Sequence, residues 1–173
     1  MRIGFAALVL VSCGGVDVME PTTCVVGDGW RVYGIEHFQA NTRIDGQQAT
    51  CATVAVAARY VVQELRRVAQ YDARFVDPAT VLRGMAVTVH DGTSWVDQWG
   101  RSVGGLAYVT AHHVEINSST AWPATLTHEA AHIIQGGVSA PISDDGHGGW
   151  LDAGIYEAID RVYATMRSTD AGE

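Results

Sequence analysis

The sequence predicts an α+β domain: a small antiparallel or mixed sheet packed on a first helix, a helix that carries a histidine motif, and a C-terminal helix. Three observations point there. Val54, Ala58, Val61, Leu65 and Val68 recur at helical spacing, as do Leu151, Ile155, Ile159, Val162 and Met166. Short β-branched runs over residues 30–35, 83–90, 106–110 and 113–117 read as strands, with Asp45-Gly46 and Asp91-Gly92 marking turns. An apolar segment over residues 123–135 has a helix start at Trp122-Pro123 and a stop at Gly136-Gly137. The length of 173 residues suits one domain rather than two, and 47% apolar residues is a globular composition. Net charge is −8 and no lysine occurs. Without a basic run there is nothing to neutralise phosphates, so nucleic acid is not an expected partner. A monomer is expected.

Residues 1–12 are expected to be a signal peptide outside the fold. Arg2 precedes an apolar run over residues 3–11, too short to span a bilayer, which takes ~20 residues. Leu10-Val11-Ser12-Cys13 resembles the bacterial lipobox. The resemblance implies that Cys13 is lipidated and becomes the first residue of the mature chain; the competing reading is a free core cysteine. Gly14 follows, unlike the inner-membrane retention signal of enteric bacteria, so an outer membrane is the expected location where one exists. Residues 13–23 would then be the lipidated N-terminus and tether, and residues 24–173 the domain. With Cys13 lipidated, Cys24 and Cys51 remain as an even number in an exported chain, and a disulfide is the default. It would stabilise by roughly 3–4 kcal/mol in the chain-entropy model. A cysteine metal site or catalytic thiol would want a partner at CxxC spacing, and neither residue has one.

Along the domain, Thr50 can cap a helix over residues 51–70, with Glu64, Arg66 and Arg67 on its wet side. Trp95 and Trp99 lie in a polar, glycine-rich stretch reaching Gly105. That stretch is either a loop beside a substrate groove or, as is commoner, a loop anchored by two buried indoles. Residues 106–110 and 113–117 are close enough to pair as a hairpin.

The next helix holds Thr127-His128-Glu129-Ala130-Ala131-His132. Residues i and i+4 share a helix face, so both imidazoles can reach one metal ion, with the Glu129 carboxylate leaning toward it. These residues resemble the His-Glu-x-x-His signature of the zincin metallopeptidases. The resemblance implies one catalytic Zn²⁺, a metal-acidified water, and Glu129 as the base that takes its proton and returns it to the leaving amine. It also implies a zincin-like fold in which residues 113–117 form the edge strand beside the cleft and pair with extended substrate; the residues themselves equally allow a plain third strand covered by a loop.

A zinc site of this kind needs a third protein ligand. The chain departs from the metzincin extension, having Gln135 and Val138 where that family has Gly and His. His147-Gly148-Gly149-Trp150 looks like the His-Gly-x-x-aromatic segment that supplies the third histidine in several zincin families, including the SprT-like ones. His147 is therefore the first choice. Asp144 and Asp145 are alternatives, as in the aspzincins, or acceptors for a ligand imidazole. Glu157 would be the gluzincin choice but projects away from its helix's apolar stripe. Tyr108 and Tyr156 are candidates for steadying an oxyanion. His37, His90, His112 and His113 lack a motif partner and read as surface or structural. The function expected from the resemblance is a lipid-anchored zinc metallopeptidase acting on peptide or protein outside the cytoplasm. The alternative is a non-catalytic envelope lipoprotein whose zincin-like fold binds metal or a partner protein; a retained Glu129 favours the enzyme.

Overall fold

A hairpin opens the domain: β1 (Thr23–Val26) and β2 (Trp30–Tyr33) pair antiparallel across a turn with Gly27 and Gly29 at positive φ. The computed structural model describes residues 23–41, 43–44, 47–48, 50–71, 76–136, 147 and 154–169. The expected signal peptide and lipidated Cys13, the tether through residue 22, Asp144 and Asp145, Leu151, and the three residues after His147 lie outside them. After the hairpin come α1 (Ile35–Asn41), the short β3 (Arg43–Ile44) and β4 (Gln47–Gln48), α2 (Cys51–Tyr71) and α3 (Pro78–Val81). Then follow β5 (Ala86–His90), β6 (Trp95–Val96), β7 (Ser102–Val103), β8 (Gly105–Tyr108), β9 (His113–Asn117), α4 (Trp122–Gly136) and α5 (Ile155–Thr169). The α+β class is as expected.

The main sheet has the order β1-β2-β5-β9-β8 and is mixed. β2, β5 and β9 run parallel, while β1 and β8 flank them antiparallel. β8 and β9 form the expected hairpin, turned with His112 at φ 53. The topology decides against the edge-strand reading of residues 113–117. Residues 113–117 lie inside the sheet, between β5 and β8, and β8 is the edge. The alternation explains it: Val114 and Ile116 are fully buried, which suits a strand with neighbours on both sides. β8 runs on from the glycines 104 and 105 and presents only half-buried residues.

α2 forms where expected. The Thr50 and Thr53 side chains each accept the other's backbone N–H, at 3.3 and 2.7 Å, satisfying two donors that a helix start leaves open. Its five-residue stripe is buried against the sheet and α5. Glu64 is not on the wet side as expected. Positions 57 and 64 fall on the same face as 61 and 68, so Ala57 and Glu64 are buried too, Glu64 at 5% exposure. The carboxylate is tolerated because Arg67 (2.8 Å) and Arg161 of α5 (2.7 Å) both neutralise it. Trp95 and Trp99 are not buried anchors either. Trp95 opens β6 of the two-stranded β6–β7 hairpin, half-buried and stacked on His90, and Trp99 lies in the turn between the strands, 60% exposed. Cys24 and Cys51 are joined, so the disulfide ties β1 to the start of α2 as expected.

Candidate metal centre

α4 is held by its apolar residues. Leu126, Ala130, Ala131, Ile133 and Ile134 are buried against the sheet, α2 and α5. Thr127 is fully buried, so its hydroxyl donates to the Pro123 carbonyl one turn back at 2.7 Å. That packing leaves His128 and His132 together on the remaining face, with ring centroids 5.0 Å apart and edge to face. His147 joins them from beyond the helix. Its ring lies 5.0 Å from that of His128 and 4.9 Å from that of His132, and Nε2 of His147 is 3.1 Å from Nε2 of His128. One nitrogen from each of the three rings falls within 4.8 Å of the others. Imidazole nitrogens on a tetrahedral zinc at ~2.0–2.1 Å stand about 3.3 Å apart, so a modest contraction of this trio suits the ion.

The electrostatics suit it as well. Burial, helped by the nearby His147, pushes His128 down to about 4. His132 also falls to about 4, through burial and the other two imidazoles, with the Gln135 side chain pulling the other way. Both rings are therefore neutral at ordinary pH, the form in which imidazole binds metal. Glu129 is 7% exposed, and burial pushes its carboxyl up to about 8. No protein-family model, curated protein or solved structure matches this chain. Three imidazoles, those of His128 and His132 held neutral, with a buried carboxylate one residue from the first of them can hold a divalent cation and move a proton. Among the described residues this is the one histidine, cysteine and carboxylate group with such spacing.

The other candidates separate clearly. The Glu157 side chain is 76% exposed and paired with Arg161 at 3.3 Å, as its place off the apolar stripe implied, so it is not a ligand here. Tyr108 is corrected. Side chains alternate along β8, and the Gly105 position faces Glu129, so Tyr108 points to the opposite face of the sheet. There it stacks on His113, and burial and the Glu115 carboxylate raise its hydroxyl pKa. Tyr156 stands in the first turn of α5, 40% exposed. His90 bonds Glu115 at 2.9 Å, His113 bonds the Thr88 hydroxyl at 2.9 Å, and the His112 ring meets the Val81 carbonyl; these are structural.

Two residues of the centre went unforeseen. Gln135 is buried and hydrogen-bonds the His132 ring, which orients that imidazole. Its signal was its place three residues after His132, the same-face spacing. Gly105 brings β8 against α4: a Cβ there would overlap Oε1 of Glu129 and stand 2.7 Å from Cγ2 of Thr125. A glycine opening a strand often marks such a close backbone approach.

Proposed function

We propose that this protein is a zinc-dependent metallopeptidase that hydrolyses peptide bonds outside the cytoplasm, anchored to a membrane through lipid on Cys13. The observation that carries the reading is the convergence of His128, His132 and His147 within 4.8 Å beside the buried Glu129. The three imidazoles would hold the ion. Zinc held there would supply a Lewis acid for a carbonyl, a more acidic water and a charge favouring the ionised form of the neighbouring carboxyl. Glu129 then accepts a proton on its carboxylate and delivers it to the leaving amine. Gln135 keeps the His132 ring in place while this happens. The outer edge of β8 pairs with no strand among the described residues, and an extended peptide can add there as a further strand. That gives β8 the substrate-bearing place first expected of residues 113–117. The anchoring half of the reading rests on residues 2–13, and the Cys24–Cys51 bridge suits an oxidising compartment.

The test is zinc content and peptide cleavage for the wild type, Glu129→Gln and His147→Ala. Glu129→Gln should keep its zinc and lose cleavage by at least ~100-fold. His147→Ala should bind zinc far more weakly. Undiminished cleavage by the zinc-loaded Glu129→Gln protein rules out hydrolysis at this centre. Zinc bound with no cleavage by wild type favours the non-catalytic alternative. A Cys13→Ser protein that still partitions with membranes removes the anchor.

A further inference from the structure

The β6–β7 hairpin displays an aromatic side chain and holds it still. Trp99 is 60% exposed and Val96, across the turn, is 69% exposed. Beneath them the Asp97 side chain is wholly buried. It accepts the Trp99 N–H at 2.9 Å, the Arg101 N–H at 2.9 Å, and the Arg101 guanidinium at 2.8 Å from both Nε and Nη2. Burial alone would push this carboxyl up, but those donors outweigh it and hold Asp97 below its ordinary value. The turn is closed further by Asp97 N–H to the Arg101 carbonyl (2.9 Å) and by Gly100 at φ +78. The Arg101 guanidinium then lies 4.9 Å over the Trp99 ring, covering one face. A large side chain gains nothing for the fold by being fixed in water, whereas a pre-ordered aromatic loses little entropy when it binds.

The hairpin's place says what it would meet. β7 leads through Gly104 directly into β8, and the Asn117 side chain pins that junction by donating to the Gly104 carbonyl at 2.7 Å. The next residue, Gly105, is the one that touches Glu129. The chain from Trp99 to Gly105 spans roughly 20 Å if fully extended, and less through the turn. Trp95 stacks on His90 and the Asp97 charge reaches Tyr108, so the hairpin lies over the face of the sheet that carries Tyr108, the face to which every second side chain of a peptide paired to β8 would point. We infer that Trp99, with Val96, is the docking point for an apolar side chain of an extended peptide lying along β8. The inference rests on the peptidase reading for the place of the peptide. A membrane surface is the less favoured partner, because the tip offers two apolar residues and sets them beside Asp97, Gln98 and Arg101.

The experiment measures binding on zinc-loaded Glu129→Gln, so that it needs no turnover. The probes are twelve-residue Ala/Ser peptides carrying a single Phe walked along the chain, and four-residue peptides as short controls. Trp99→Ala in that background should weaken the best Phe register by about tenfold, the size of a hot-spot aromatic, and leave the short peptides unchanged. In the catalytically intact protein the same substitution should raise KM for the long peptide and leave kcat alone. Equal binding with and without Trp99, no dependence on the Phe position, or no peptide binding at all overturns the inference. So does Trp99-dependent binding to phosphatidylcholine vesicles with peptide binding unchanged. Trp99-dependent peptide binding in a protein whose wild type cleaves nothing sinks the peptidase reading and leaves the docking point standing.

Discussion

Glu129 sets the sharpest conflict at the scale of single residues. A carboxyl raised from 4.5 to about 8 by burial is a cost that the metal-free fold bears for its site. The direction is fixed by linkage. Below the unfolded value both states are protonated and nothing is lost. Between 4.5 and about 8 the unfolded chain releases its proton while the folded one keeps it, so stability falls as pH rises. Metal-free Glu129→Gln should therefore match wild type near pH ~4.5 and exceed it increasingly toward pH ~8, by several kcal/mol at the plateau, since each unit is worth about 1.4 kcal/mol. Urea denaturation of both proteins across that range checks it; the difference isolates this carboxyl from the two titrating histidines beside it. Parallel curves would show that Glu129 is not desolvated. Gln135 gives a second prediction. Gln135→Ala should leave zinc stoichiometry at one ion and weaken its affinity by about 10–100-fold, as loss of a ligand-orienting group does. Competition with a chelator of known affinity measures this, and an unchanged affinity would mean that the His132 ring is held by its packing alone.

Among the elements, α4 was the most legible and the short helices the least. The i, i+4 histidines and the Pro and Gly-Gly bounds of α4 are local signals, and the helix runs within one residue of the expected limits. His147 was found because it is the only histidine after the motif, with glycines on either side. By contrast, α1 and α3 span seven and four residues, too few for an apolar stripe to repeat. Strand order was also hidden, because parallel pairing of β2, β5 and β9 joins segments far apart in the chain and leaves no local mark. α3 starts at Asp77-Pro78, and its cap is testable. Asp77 accepts from Ala79 N–H, from the Thr80 hydroxyl at 3.0 Å, and from Arg66 of α2 at 2.8 Å. The Arg66 hydrogen bond, with those from Thr80 and Ala79, holds it down to about 2. A lowered carboxylate lends stability above its unfolded value and loses it as pH falls toward its folded one. Asp77→Ala should cost about 0.5–1 kcal/mol near pH 6 as a lost cap, with the difference from wild type narrowing as pH is taken from about 5 toward 3. Urea midpoints at several pH values decide it; a pH-independent difference would assign the whole effect to packing.

For the whole molecule, the helix that carries His128 and His132 and the covalent clamp sit on different parts of the sheet. α4 packs against β8 and β9 at one side, while Cys24–Cys51 joins β1, at the other edge, to the start of α2. The two sides are bridged by α2 and α5, which share the Glu64–Arg161 ion pair and both touch α4. If that coupling is only mechanical support, opening the clamp should lower global stability without loosening the centre. The bridge spans a sequence separation of 27, so the chain-entropy model assigns it roughly 3–4 kcal/mol, or a fall in Tm of about 10 °C for a domain of this size. The double variant Cys24→Ser/Cys51→Ser avoids thiol reductants, which would themselves compete for zinc. Its calorimetric Tm should drop by about that amount, while zinc affinity measured well below the transition stays within about twofold of wild type. A weakened zinc affinity in the still-folded variant would instead mean that the β1 edge helps position α4, and that the sheet transmits strain from one side to the other.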